Sequence, residues 1–261
     1  MEEVLFGGVA NAGKVTRHGP FVLRPSNLYS ASIHAFLKTL RKTGFEGASL
    51  PIEIQEDGRE RLVFIEGEVP IPPYATWAQS DDVLASVTRL ISDFHLASAT
   101  VDRSMETWNH EMSDASGGSI ICHNDVCLEN VISRDGKAIA LIDFDFAAPG
   151  RPTYDLAAFA RMCVPIDDDI SSERLGWLES DRSGRLRLVA DVYGLDAKGR
   201  RELLEFLDGA IQGGGTFVQR RANAGDTNFI QMLEEMGGME RYERRRRWWI
   251  ESREQFLAAL S

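Results

Sequence analysis

Residues near the middle of the chain have the types and spacing for one kind of chemistry. In the segment Ile120–Ile132, His123 is followed by Asp125 and then by Asn130. The chain continues through Arg134-Asp135-Gly136-Lys137 and the apolar run Ala138–Ile142 to reach Asp143-Phe144-Asp145. Asp-Gly between two apolar runs is a strong hairpin signal. An antiparallel pair folds the residue before its first strand onto the residue after its second, so Asn130 and Asp143 should meet at one end. A carboxylate and an amide oxygen there suit Mg²⁺, a hard cation that completes its shell with phosphates and water. Asp125, on the loop leading into the hairpin, would face the same point and accept or orient the proton of an attacking hydroxyl. That set matches the layout of phosphoryl transfer from a nucleotide. Taken singly, each Asp or Asn is as well explained by a turn or a cap; the joint pattern carries the reading.

These residues need a frame. Upstream, the pattern predicts strands at Val4–Val9, Lys14–His18 and Pro20–Arg24, broken by Gly7-Gly8, Gly13 and Gly19. Ser30–Thr43 follows with Ile33, Phe36, Leu37 and Leu40 at helical spacing, and Gly44 fits a helix stop. Leu50–Gln55 and Leu62–Ile65 read as a strand pair turned by Glu56-Asp57-Gly58. Gly and Pro between Glu66 and Pro73 mark a change from strand-rich to helix-rich pattern, and Val83–Ala97 then carries one apolar helical face. The expectation is an α+β, bilobal arrangement. A small β-rich lobe over residues 1–67 precedes a larger, mainly helical lobe over 68–261.

With these residues in view, the chain resembles the aminoglycoside phosphotransferase family, in a branch described as phosphotransferase or trifolitoxin-immunity-like. The likeness extends over most of the chain, through Gly7-Gly8 to Arg24-Pro25, the helix at Ser30–Thr43, Gly58-Arg59-Glu60 and Phe64–Val69. It implies a protein-kinase-like fold, Mg²⁺ with ATP or GTP as donor, and a hydroxyl of a small molecule as acceptor, an antibiotic or a polar metabolite. It assigns the base to Asp125, loop support to His123, and the metal to Asn130 and Asp143. On the nucleotide side it points to Arg24 for phosphate, to Gly8 and Asn11 in a glycine turn over the nucleotide, and to Glu66 and Glu68 in a hinge beside the base. Asp155 resembles an acidic brace of the catalytic loop, although a charge favoured at a helix N-terminus explains it equally. Asp145 is either a further metal-site carboxylate or a strand-end charge.

Other features depart from the pattern. Gly8–Val15 nearly matches a phosphate loop, but Val15 lacks the hydroxyl that would meet Mg²⁺. Arg24 stands where such kinases carry a lysine, and its fork is not equivalent to an ammonium. The helix at Ser30–Thr43 has no glutamate; His34 is its nearest polar candidate and reads as a surface or half-buried residue. These departures support a second reading, an immunity or binding protein that keeps the fold with weak catalysis or none. His95, on an apolar helix face, reads as a core histidine.

Composition narrows the setting. The 261 residues are 43% apolar and 26% charged, with a net charge of −11. That balance argues against a nucleic-acid binder, which wants a basic face, and is compatible with a cationic acceptor. No apolar stretch approaches the roughly 20 residues that span a bilayer, and the acidic start Met1-Glu2-Glu3 is unlike a secretory signal. Cys122, Cys127 and Cys163 lack zinc-type spacing and read as free thiols of a reducing cytoplasm. The run Arg241–Trp249 reads as packed aromatics with arginines solvated or paired to acidic neighbours. The acceptor, the donor base and the oligomeric state stay open.

Overall fold

The structure, a computed structural model, describes residues 2–5, 11, 13–102 and 107–261. It forms two compact units. The first comprises Met1–Val69, Leu90–Asp125 and Glu129–Pro152, and the second Pro70–Arg89, Val126–Leu128 and Thr153–Ser261.

In the first unit, strands β1 (Glu2–Val4), β2 (Thr16–His18), β3 (Phe21–Pro25), β4 (Pro51–Ile54) and β5 (Arg59–Val63) make an antiparallel sheet in the order β1-β2-β3-β5-β4. Of the first expected strand, Val4–Val9, only Val4 lies in β1; Leu5 is outside it, and residues 6–10 lie outside the described residues. The strand expected at Leu62–Ile65 begins earlier, at Arg59. Gly58, at a φ of 81° that glycine adopts without strain, closes a tight turn, and Gln55 donates its N–H to the Arg59 carbonyl at 2.7 Å. Pairing therefore starts at Arg59, and alternation buries Glu60 and Leu62 on one face. The charges at Arg59 and Glu60 hid this start from a hydrophobic pattern.

Helix α1 (Ser30–Lys42) buries Ile33, Phe36, Leu37 and Leu40, the i, i+3, i+4, i+7 face that its sequence predicts; His34, expected at or near the surface, is buried as well because it pairs with the buried Glu60. Arg41 and Lys42 in its last turn complement the helix dipole. Phe36 meets Phe94 and Trp108 edge-on at 6.3 and 5.7 Å, and Phe94 meets Phe144 at 5.7 Å. Phe94 belongs to helix α2 (Asp81–Ser98), as expected at Val83–Ala97. This aromatic chain ends on Phe144 of the central motif, whose ring also meets His123.

Two short strand pairs also belong to the first unit: β6 (Ile120–Cys122) pairs with β9 (Ala148–Gly150), and β7 (Val131–Arg134) pairs with β8 (Lys137–Leu141). Asp135 and Gly136 both take positive φ, 51° and 69°, as a two-residue hairpin turn with right-handed strand twist requires.

The second unit is helical, with α3 (Pro152–Cys163), α4 (Asp169–Arg174), α5 (Arg182–Tyr193), α6 (Ala197–Asn223), α7 (Thr227–Glu235) and α8 (Glu240–Leu260). Asp168, Asp181, Asp196 and Asp226 cap α4 to α7 by accepting backbone N–H bonds. The arginine run lies on α8. Its Arg245 is among the largest fully buried side chains and bonds Asp167 through two nitrogens, at 2.8 and 2.5 Å, with Arg241 at 3.2 Å from the same carboxylate. Burial works to raise the Asp167 pKa, but the hydrogen bonds and charge of Arg245, with the charge of Arg241, outweigh it and hold the group at about 2. These two arginines are thus interior ion-pair residues, not a solvated stripe. No helix among the described residues is long and apolar enough to cross a membrane. The sheet-bearing N-terminal region followed by a mainly helical C-terminal part is the α+β class expected.

Candidate active site

The hairpin β7–β8 sets the site. Val131 pairs with Leu141, and Ile142 donates its N–H to the Asn130 carbonyl at 2.9 Å, so Asn130 and Asp143 sit side by side at its base. Asp143 takes a left-handed φ of 64°, which ends the strand and turns the chain into the short turn Phe144–Phe146. Both residues line a cavity of about 310 Å³ within the first unit, together with Arg24, Glu60, Leu62 and Phe144.

The Asn130 amide nitrogen donates to the Asp125 carbonyl at 2.8 Å and approaches its carboxylate at 3.2 Å. One amide therefore ties the loop and orients the half-buried Asp125 side chain. With its nitrogen engaged in this way, the amide oxygen of Asn130 is the atom that can meet a cation. Beside it the Asp143 carboxylate supplies a second hard oxygen, so the donor set suits Mg²⁺.

His123 is fully buried against the Phe144 ring, centroids 4.5 Å apart. Its Nε2 lies 2.9 Å from the Ile142 carbonyl, and its Nδ1 accepts the Asp125 backbone N–H at 3.3 Å. A carbonyl on one side and an N–H on the other fix the proton on Nε2. Both ring nitrogens hold the loop, which makes His123 a support. Asn124 adds a tie that the sequence reading missed: at φ 65° it is buried and donates to the Phe146 carbonyl at 2.8 Å. Its signal was its residue type, because Asn tolerates left-handed backbone better than most.

Arg24 approaches from β3. Its Nη1 donates to Asp143 at 2.7 Å, and its Nη2 donates to Asp145 at 2.5 Å and lies 3.1 Å from Glu60 Oε1. Burial opposes its charge, but Asp145, Asp143 and Glu60 outweigh it, so its pKa is held above the ordinary arginine value. Asp145 moves the other way. Burial is the largest cause, and repulsion from Asp143 and Glu60 adds to it; together they exceed the pull of Arg24 and push Asp145 up to about 6. Arg24 thus holds the acidic groups of the site together.

The remaining nucleotide-side residues divide. Asn11 lines the cavity, while Gly8 lies outside the described residues. Glu66 and Glu68 do not line it; Ile65, Gly67 and Val69 do, since alternate residues of an extended segment face opposite ways. The Glu66 side chain pairs with Arg17 and its carbonyl accepts from Arg134 at 2.6 Å. Glu68 exchanges both backbone hydrogen bonds with Ser133, each at 2.8 Å. Gly67 fits only without a side chain, because a Cβ there would stand 2.5 Å from Ile132 Cγ2 and 2.7 Å from the Ser133 carbonyl oxygen. Asp155, in the first turn of α3, and His95 are both buried. Cys122, Cys127 and Cys163 are buried thiols outside any disulfide.

This site rests on a protein-kinase-like fold. A choline/ethanolamine kinase family protein from Mesorhizobium loti superposes with a TM-score of 0.65 at 14% identity, covering 100% of this chain and 92% of that one. The ADP-bound aminoglycoside phosphotransferase APH(2'')-Ib superposes at 0.58 and 12% identity, covering 98% and 94%. The model of the phosphotransferase enzyme family matches residues 106–189, which hold the whole central motif. The trifolitoxin immunity protein of Rhizobium leguminosarum bv. trifolii is 31% identical over 192 residues, 71% of this chain and 72% of that one. The chain belongs to the aminoglycoside phosphotransferase family, in the branch that includes this immunity protein.

Proposed function

We propose that the chain is a nucleotide-dependent small-molecule kinase, moving the γ-phosphate of ATP or GTP to an acceptor hydroxyl. The observation that carries this is the gathering of Asn130, Asp143 and Arg24 around one cavity, with Asp125 tied to Asn130. Asp125 would accept the hydroxyl proton as the phosphorus–oxygen bond forms, held in place by the Asn130 amide and the His123 brace. Arg24 would present its guanidinium to the donor phosphates. Asn130 and Asp143 would hold Mg²⁺, which when bound neutralises charge on the phosphate oxygens. Residues 1–67 would supply the nucleotide lobe and 68–261 the acceptor side. A polar, cationic acceptor of the aminoglycoside type suits the net charge of −11, and three thiols outside any disulfide suit a cytoplasmic setting.

The likeness to an immunity protein favours a second reading, in which the fold binds its nucleotide or toxin ligand with little or no transfer. A thermal-shift screen with Mg-ATP and Mg-GTP, followed by nucleoside diphosphate release over a panel of polar acceptors, separates the two. The kinase reading expects a shift in wild type, lost in Asp143→Ala, and release lost in Asp125→Ala. Binding without release on any acceptor supports the immunity reading, and no binding refutes the kinase reading.

A further inference from the structure

Arg24 is a buried cation with three carboxylates around it, and the three differ in kind. Asp143 and Asp145 follow the hairpin, with side chains 26% and 20% exposed. The Glu60 side chain is 1% exposed and comes from the neighbouring strand, where its Cα is the direct cross-strand partner of Arg24. Cross-strand partners project to the same face, so this pairing is set by register. Glu60 is fixed again from the far side: its Oε2 lies 2.8 Å from His34 Nε2 on α1. His34 is itself buried. Burial works to raise the Glu60 pKa, and the His34 hydrogen bond with the Arg24 charge outweighs it, so the carboxylate stays charged.

Resting on the kinase reading, we infer that Glu60 is the positioning residue for Arg24 and that His34 locks Glu60 in place. A buried guanidinium needs a permanent counter-charge. Asp143 cannot be that partner if it also holds a metal. Glu60, on the sheet and not one of the metal pair, keeps Arg24 aimed while Asp143 is engaged elsewhere. The helix that lacks a glutamate still contributes to the phosphate clamp, through His34 and one strand removed.

The test measures affinity for the Mg-nucleotide that wild type binds and for its nucleoside, which carries no phosphate. Glu60→Gln should weaken Mg-nucleotide binding about tenfold, the scale on which losing an outer support acts on a bound group. Nucleoside affinity should be unchanged. In an Arg24→Gln background, Glu60→Gln should add nothing further. His34→Gln, which keeps an N–H for Glu60, should bind near wild type, while His34→Leu should show the Glu60→Gln pattern. The inference is overturned if folded Glu60→Gln binds Mg-nucleotide as tightly as wild type. It also falls if nucleoside and Mg-nucleotide weaken equally, or if the effect persists without Arg24. Should Glu60→Gln not fold, His34→Leu decides the matter by the same comparison. Wild type that binds nucleoside triphosphate in no form removes the kinase reading and this inference with it; wild-type binding with an indifferent Glu60→Gln removes the inference alone.

Discussion

Replacing Asp167 by Asn should show that the arginine run of α8 is an interior structural element. The perturbation removes a charge and leaves the side chain's shape. In the folded protein the Asp167 pKa is lowered from 3.8 to about 2. At about 1.4 kcal/mol per pH unit, the charged form contributes about 2.5 kcal/mol at neutral pH. The side chain is only 10% exposed, so solvent screening takes little from this figure. Arg241 and Arg245 would be left buried without their counter-charge, which acts in the same direction. For a chain of this size the loss corresponds to roughly 5–10 °C in melting temperature. The sign with pH follows from a depressed carboxylate: the contribution is complete above pH 3.8 and is lost as pH falls through about 2. Urea unfolding followed by circular dichroism at pH 7, 5 and 3 would compare Asp167→Asn with wild type. The gap should be near 2.5 kcal/mol at pH 7 and 5, and it should narrow at pH 3. A variant within about 0.5 kcal/mol of wild type at pH 7, the range of ordinary surface changes, would refute the reasoning.

Other outcomes follow from the site. Asp125→Asn should lower turnover by about 100-fold or more, as loss of a general base does, with Mg-nucleotide affinity unchanged by calorimetry; equal turnover would remove Asp125 from that role. Gly67→Ala should cost about 1–3 kcal/mol in urea unfolding, because the new methyl meets a backbone oxygen that cannot step aside. Arg24→Lys keeps the charge and loses the fork that spans Asp143 and Asp145. It should weaken Mg-nucleotide binding in calorimetry by roughly tenfold, one charge-assisted hydrogen bond's worth.

The hairpin was legible because its information is local. Asp135-Gly136 fixes the turn, and the antiparallel pairing, with one irregularity between Ile132 and Ser133, brings Asn130 and Asp143 to the base of the hairpin. The helix face of α1 was legible for the same reason, its period being a property of one segment. Glu60 was not legible, since its partners Arg24 and His34 come from another strand and a helix. Even so, a charge sharing the inward face with Leu62 was a readable sign of a buried ion pair. In the hinge segment, Glu66 and Glu68 carry the chemistry that attracts notice, while Ile65, Gly67 and Val69 face the cavity. Alternation in an extended segment moves every side chain when the register shifts by one. The buried pairing of Arg245 with Asp167 depends on helix packing between segments far apart in sequence, which no local pattern reports.

The central claim is that Asn130 and Asp143 hold a metal that carries a nucleotide. Isothermal titration of ATP and GTP into the protein, with and without Mg²⁺, for wild type and Asp143→Ala, tests it most directly. The account predicts Mg²⁺-dependent binding of at least one nucleotide by wild type and its loss in a folded Asp143→Ala. Wild type that binds neither nucleotide with Mg²⁺, or Asp143→Ala that binds as tightly as wild type, would contradict it.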